Sequence, residues 1–162
     1  MSNPKRVAVL MGGKSSEHDV SMNSGQMVAS NLDVSLFEAL PVAITREGRW
    51  QFPDGPALDI FDALPRLRDL RIDCVFLALH GAFGEDGRIQ GMLDLLGLPY
   101  TGSGCIASAT AMDKVRSKLV VRNLGIRVAQ DLVFSAEDWR TGSQNIEAQV
   151  ATEIGFPCVV KN

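Results

Sequence analysis

Short apolar runs, each bounded by turn residues, recur along the chain. Four of them are Val7 to Met11, Pro41 to Thr45, Cys74 to Leu79 and Leu98 to Thr101. Continuous apolar runs of this length are typical of strands that are buried on both faces, as strands of parallel sheets are. The pattern therefore predicts four strands of a parallel sheet.

The segments between these runs show helical spacing. The predicted helices span Val20 to Leu32, Phe61 to Leu70 and Gly87 to Leu96. In the first helix, one face carries Val20, Met27, Val28 and Leu32, and Gly97 stands where a glycine ends the last helix. Strands that alternate with helices indicate an α/β fold, so we predict a doubly wound, Rossmann-like parallel sheet.

The pattern changes after Gly102. A stretch rich in small residues leads to Asp113, which can cap a helix that ends at Gly125. We therefore predict an N-terminal α/β domain over residues 1–112 and the beginning of a second domain over residues 113–162.

Two more strands and a helix are predicted in the second segment. The strands are Asp131 to Phe134 and Cys158 to Lys161, and the helix carries Ile146, Val150 and Ile154 on one side. A chain that stops on an apolar strand leaves a sheet half-built. From the size expected of whole domains, the sequence is interpreted as a fragment of a longer protein.

Composition and charge exclude several classes of function. Hydrophobic residues make up 46% of the chain, and 16 basic residues stand against 19 acidic ones without a dense basic cluster. This predicts a folded protein that does not bind nucleic acid. No apolar segment is long enough for a membrane span or a signal peptide, and the three cysteines lack a Cys-x-x-Cys spacing. We expect a cytoplasmic protein with reduced, buried cysteines and no membrane partner.

Two polar loops follow predicted strands and precede predicted helices. They are Gly12 to Asp19 and His80 to Gly87. Because the carboxyl ends of parallel strands lie on one edge of the sheet, Glu17 and His80 can face the same pocket. A carboxylate for an ammonium group, with an imidazole and helix amides for a carboxylate, would suit a free amino acid.

On the residues alone, a purely structural interpretation of these loops stays open. The double glycine after the first strand fits a generic strand-to-helix turn, Ser16 to Asp19 fits a helix cap, and a single loop histidine is often structural. His18 is expected to face solvent. Two histidines without metal-ligand spacing predict no metal site.

Ordered motifs over the chain resemble the D-alanine:D-alanine ligases. They are Val7 to Ser21, Ala78-Leu79-His80-Gly81, Gly84-Glu85-Asp86-Gly87, Gln90-Gly91-Met92, Leu98 to Gly104 and Met112-Asp113-Lys114. The resemblance implies an ATP-grasp architecture, of which this chain would hold the N-terminal domain and the beginning of the central domain.

The resemblance also implies roles for individual residues. Glu17 is similar to the acid that orients the first D-alanine through its ammonium group, and His80 would lie near the carboxylate of that D-alanine. Val20 and Gly81 would line the same pocket. Lys114 and Lys161 are similar to the two lysines that reach the phosphates of ATP. The Mg²⁺ ligands of the family would follow residue 162, so no residue of this chain is assigned to a metal.

The function implied by the resemblance is ATP-dependent synthesis of D-alanyl-D-alanine, through an acyl phosphate, for peptidoglycan precursors. A homodimer formed through the N-terminal domain is implied as well, and the chain alone is expected to be inactive. Two alternatives stay open: a binding or dimerisation module without catalysis, and an ATP-grasp ligase for another substrate such as D-lactate.

Overall fold

The computed structural model describes residues 3–161 and divides into two compact units, one ending at Asp113 and the other beginning at Lys114. This division falls one residue from the boundary predicted after residue 112. The assignment of the second segment to an ATP-grasp domain stays a prediction.

The first unit is an α/β structure around a four-stranded sheet. Its elements are β1 (Lys5–Gly12), α1 (His18–Asn31), β2 (Phe37–Ile44), β3 (Trp50–Gln51), α2 (Ile60–Asp69), β4 (Cys74–Leu77), α3 (Arg88–Leu96) and α4 (Cys105–Met112). The strand order is β3-β2-β1-β4, with β1 parallel to both β2 and β4 and with β3 antiparallel to β2. The short β3 and α4 were not predicted.

The apolar run of β1 forms the centre of this unit because both of its faces are covered. Leu10 is fully buried in a core with Leu67 of α2 and Leu93 of α3. Val9 and Met11 point to the other face, where residues of α1 pack against them. Helices on both faces confirm the doubly wound prediction.

Helix α1 lies close to the sheet because its buried positions are small. Ser21 and Gly25 are buried, and a Cβ atom on Gly25 would lie only 2.4 Å from the Cβ atom of Met11. Val20 and Met27, which were predicted on the buried face, are 56% and 65% exposed. The predicted helix is confirmed, but the prediction that Val20 and Met27 face the core is wrong. The small residues Ser21 and Gly25 face the sheet instead, which lets the helix lie close to it.

The predicted strand from Leu98 to Thr101 is reduced to one parallel bridge between Val75 and Tyr100. Val75 donates to the carbonyl of Pro99, and Thr101 donates to the carbonyl of Val75. Proline has no N–H to donate, so the ladder does not extend further toward its amino end. The glycine predicted to end α3 does so, with Gly97 in a left-handed conformation.

The second unit contains the helices α5 (Lys114–Asn123) and α6 (Ala136–Glu153). Both confirm predicted helices. The strands predicted at Asp131 to Phe134 and Cys158 to Lys161 are wrong, because both stretches are irregular. A strand needs a neighbour for its backbone hydrogen bonds, and within residues 114–161 the structure pairs neither stretch with another.

Two further expectations concern chemistry outside the sheet. Cys74, Cys105 and Cys158 are free thiols, but they are half-buried and not in the core as predicted. Along residues 3–161, no helix combines the length and the apolar character that crossing a membrane requires.

Candidate functional site

The order of the strands creates a crevice at the carboxyl ends of β1 and β4. The chain leaves β1 toward β2 on one side, while β4 joins β1 on the other side. At such a reversal of strand order, the loops diverge and leave room for a ligand. The loops over residues 13–17 and 78–87 therefore border this crevice.

The ends of β1 and β4 are joined by the hydroxyl group of Ser21. The amide of Gly12 donates to Ser21 Oγ over 2.8 Å, and Ser21 Oγ donates to the carbonyl of Ala78 over 2.7 Å. Ser21 is fully buried. Sequence reasoning missed this residue, although a serine among the apolar positions of a helix is a signal that its hydroxyl has a buried partner.

A second serine joins the two loops. Ser15 Oγ donates to the carbonyl of His80 over 2.7 Å and accepts from the amide of Glu17 over 3.2 Å. The structure thus brings Glu17 and His80 together, as sequence reasoning expected. Their catalytic roles stay predictions.

The side chains of Glu17, His80 and Glu85 converge. One oxygen or nitrogen atom from each lies within 4.8 Å of the others. His80 Nε2 lies 3.1 Å from Ser24 Oγ, and His80 Nδ1 lies 4.0 Å from a carboxylate oxygen of Glu85. Glu17 and Glu85 are exposed and His80 is half-buried, so the cluster opens to solvent.

Gly81 makes this convergence possible. Its φ of 70° lies in the left-handed region, and a Cβ atom there would stand 3.3 Å from Ser15 Cβ and 3.8 Å from Glu17 Cδ. The Gly81 amide donates to Glu85 Oε2 over 2.7 Å. A side chain would be unfavourable in this conformation, and the predicted place of Gly81 in the wall of the amino-acid pocket stays a prediction.

The remaining predicted site residues are not among the three side chains that converge. Val20 is on α1 and is more than half exposed. Lys114 begins α5, and Lys161 is in the irregular segment at residues 158–161; both are exposed and both belong to the second unit. Their contact with ATP stays a prediction.

A cavity of about 540 Å³ lies beside His80. Its apolar lining comes mainly from Ile44, Trp50, Ile60, Leu79, Phe83, Ile89 and Met92. Lys14, Arg49 and Arg88 supply cations, and Glu47 and Asp59 supply carboxylates. The volume is within the range of small-molecule pockets.

Phe83 stands at the rim of this cavity in a strained backbone conformation. Its φ is 69°, which is unfavourable for a residue with a side chain. Its amide donates to Asp86 Oδ2, and its ring contacts the cations of Lys14 and Arg88. Asp86 also accepts from the amide of Arg88, so it organises the loop and the start of α3.

One more histidine lies near the first loop. His18 Nδ1 is 2.9 Å from Asp19 Oδ1, and the His18 side chain is only 17% exposed. The expectation that His18 faces solvent is therefore wrong, since the residue folds back toward Gly12. The hydrogen bond with His18 and the nearby guanidinium of Arg46 lower the pKa of Asp19.

This doubly wound domain, with paired polar loops at its strand reversal, has the open α/β architecture in which ligands generally bind at the carboxyl edge of the sheet. Residues 6–64 and 59–103 match the family model described as the D-ala D-ala ligase N-terminus. The chain belongs to this family, which confirms the resemblance inferred from its motifs.

Individual relatives support the assignment. A D-alanine--D-alanine ligase of Moorella thermoacetica is 39% identical over 156 residues, which cover 96% of this chain and 46% of the relative. One of Chlorobium chlorochromatii is 37% identical over 185 residues, covering 96% of this chain and 51% of that protein. The chain spans about half the length of the curated relatives it matches.

Solved structures give the same fold. The D-alanine-D-alanine ligase of Coxiella burnetii has a TM-score of 0.74 at 31% identity, covering 91% of this chain and 49% of that one. A D-Ala:D-Ser ligase of Enterococcus faecalis has a TM-score of 0.70 at 30% identity, and the match covers 91% of this chain and 50% of that one.

Proposed function

We propose that this chain supplies the site for the first amino acid in an ATP-dependent D-alanine:D-alanine ligase of peptidoglycan precursor synthesis. The observation that carries the proposal is the convergence of Glu17 and His80, whose loops are joined by the hydroxyl of Ser15. The two residues are separated by more than sixty positions, so their meeting is a property of the fold.

The chemistry of these groups suits a zwitterion. The exposed carboxylate of Glu17 can pair with the ammonium group of D-alanine. His80 Nδ1 can donate a hydrogen bond to the carboxylate of the same molecule in the tautomer whose Nε2 accepts from the hydroxyl of Ser24. The absence of a side chain at Gly81 leaves space beside the carboxyl group of Glu17.

Activation of the substrate requires ATP and Mg²⁺. In the proposed reaction, the carboxylate of the first D-alanine takes the terminal phosphoryl group of ATP, and the amine of the second D-alanine displaces phosphate. Lys114 and Lys161 fit phosphate binding because both are exposed cations of one unit. Mg²⁺ prefers oxygen ligands, and no residue of this chain is assigned to it.

Binding of the first substrate can be tested on the chain itself. Titration with D-alanine, followed by NMR, should shift the signals of residues 13–17 and 80–85, and L-alanine should shift them less. Glu17→Gln and His80→Gln should each weaken binding by about tenfold or more, because each removes a charge-assisted contact. Glu38→Gln is the matched control, since Glu38 pairs with Arg6 at the amino end of the sheet.

Ligation can be tested in a chimera. The corresponding segment of the Moorella thermoacetica relative is replaced by this chain, and phosphate release is measured with D-alanine or D-serine present. Glu17→Gln in the chimera should lower turnover by about 100-fold. D-alanine binding to the chain, with a folded but inactive chimera, would instead favour a binding module without catalysis.

Two further features belong to the proposal: a cytoplasmic location and a homodimer. Three free cysteines in the described residues suit a reducing compartment.

A surface for a second copy is offered by exposed apolar side chains of α1 and of the segment after it. These side chains are Met27, Val34 and Leu36. Sedimentation of the chain with Met27→Glu should show loss of a dimer that the unaltered chain forms.

A further inference from the structure

We infer that Glu17, His80 and Glu85 form a binding site for a divalent transition metal ion, represented by Zn²⁺. The site overlaps the proposed D-alanine site, and only this overlap rests on the proposed function. Occupation by Zn²⁺ would exclude the amino acid, so the ion would act as an inhibitor.

The spacing of the three side chains carries the inference. Their ligand atoms lie within 4.8 Å of one another. The 4.0 Å between His80 Nδ1 and Glu85 Oε1 is too long for a hydrogen bond. In a tetrahedral zinc site, bonds of about 2.0–2.1 Å place neighbouring ligand atoms about 3.4 Å apart. Small side-chain rotations therefore bring these three groups to coordination distance.

The partner of His80 on its other nitrogen favours metal binding by Nδ1. Ser24 Oγ lies 3.1 Å from Nε2 and can accept a hydrogen bond from the Nε2–H group. A histidine that carries its proton on Nε2 presents an unprotonated Nδ1. Metal-binding histidines commonly donate their other N–H in this way, which fixes the ring.

The carboxylate of Glu85 and the backbone of Glu17 are held in place before any ion arrives. The Gly81 amide holds Glu85 Oε2, which leaves Oε1 as the oxygen nearer to His80. Ser15 holds the backbone of Glu17 against the carbonyl of His80. The three ligands come from two loops that the same hydroxyl joins, so little loop ordering is needed on binding.

The set of ligands discriminates between metals. One imidazole and two carboxylates suit Zn²⁺, and a water molecule can complete a four-coordinate site because Glu17 and Glu85 are exposed. Mg²⁺ prefers oxygen ligands in an octahedral arrangement and does not favour imidazole. The site should therefore bind Zn²⁺ in the presence of excess Mg²⁺.

Calorimetric titration of the chain with ZnCl₂, in a buffer containing excess MgCl₂, tests the site. We expect one saturable zinc site per chain. His80→Gln and Glu85→Gln should each weaken zinc binding by at least about tenfold, and Ser24→Ala should weaken it by about tenfold through the ring of His80. His18→Gln is the matched control, since His18 faces Asp19 in the other histidine–carboxylate pair.

NMR of histidine ring nitrogens identifies the ligand atom. The chain has two histidines, so ¹⁵N-histidine labelling gives a spectrum that one variant of each can assign. Zinc should shift Nδ1 of His80 and leave the proton on Nε2. Circular dichroism of each variant shows whether it is folded before its affinity is compared.

The inference is overturned if zinc binding is undiminished in folded His80→Gln, or if zinc shifts the His18 ring alone. Competition separates it from the proposed function. Displacement of zinc by D-alanine beyond that caused by L-alanine, which chelates free zinc equally, supports both. Zinc binding at His80 without such displacement keeps the metal site and counts against the amino-acid site.

Discussion

The two units of this chain differ in whether their apolar side chains are buried. In the first unit, Leu10, Leu67 and Leu93 are fully buried between a sheet and its helices. In the second unit, residues 114–161 include no buried side chain, and Leu119, Leu124 and Val160 are 58%, 69% and 91% exposed. Both segments have apolar residues at regular spacing, so spacing alone does not decide whether a core forms.

The difference shows what each kind of element requires. A helix satisfies its backbone groups internally, and α5 and α6 form although they bury nothing. A strand satisfies its backbone groups only through a neighbour, and the apolar stretch at residues 158–160 has no strand partner among the described residues. The same apolar pattern therefore gives β1 in one unit and irregular chain in the other.

The largest expected contrast is in the cost of removing a leucine. Leu10→Ala should lower the free energy of unfolding of the first unit by about 2–5 kcal/mol, because it leaves a cavity in a closed core. Leu119→Ala should cost about 0.5 kcal/mol or less. Urea unfolding followed by NMR in each unit measures both. Equal costs would show that the second unit has a core of its own.

The next contrast concerns buried and exposed serines. Ser21→Ala should destabilise the first unit by about 1–3 kcal/mol, since the Gly12 amide and the Ala78 carbonyl both lose their partner. Ser30→Ala is the control, because exposed Ser30 only accepts from Gln26. Thermal unfolding compares the two. A loss no greater than that of the control would mean that water replaces the hydroxyl.

In the second unit, the cap of α6 should matter more than any apolar contact. Ser135 accepts from the amide of Asp138, whose carboxylate accepts in return from the Ser135 amide. Ser135→Ala should destabilise the helix by about 1 kcal/mol. Amide hydrogen exchange should accelerate in the first turn of α6 and not in α1. Thr152→Ala, at the other end of α6, serves as control.

The smallest expected contrast is in pH dependence. The ammonium of Lys5 and the amide of Arg6 lower the pKa of Asp73 in the first unit. The hydroxyl and amide of Ser135 lower the pKa of Asp138 in the second. A lowered pKa in the folded state stabilises the fold above the ordinary value of 3.8, and this stabilisation is lost as the pH falls through the folded value.

Carboxyl NMR titration separates the two units. Lys5→Ala should raise the pKa of Asp73 and leave that of Asp138 unchanged, and Ser135→Ala should do the reverse. If either substitution changed the pKa values of both Asp73 and Asp138, each pKa shift could not be assigned to its local partner.

Much of the first unit could be predicted because its apolar runs are buried on two sides. The run from Val7 to Met11 predicted β1, and the periodicity of residues 87–96 with Gly97 predicted α3. The two-residue strand β3 escaped prediction because its pattern is too short to repeat. Helix α4 escaped because Gly104 and the small residues after it carry little amphipathic signal.

The residues that meet in the candidate site were predictable in part, but the hydrogen bonds that hold its loops were not. The rule that parallel strands end on one edge predicted that Glu17 and His80 would meet. The hydroxyls that hold the loops, on Ser15 and Ser21, could not be assigned partners without knowing which carbonyls face them. The proximity of Glu85 to both residues depends on the turn at Gly81, which spacing does not specify.

The hydroxyl of Ser15 has a consequence for how this domain can vary. Because one oxygen contacts both loops, the number of residues from Gly13 to Glu17 and from Ala78 to His80 is fixed by its reach. An inserted residue in either stretch would separate the groups that it holds. Changes of length among related chains should therefore accumulate elsewhere, as in the exposed turn at residues 53–56, which lies outside this cross-link.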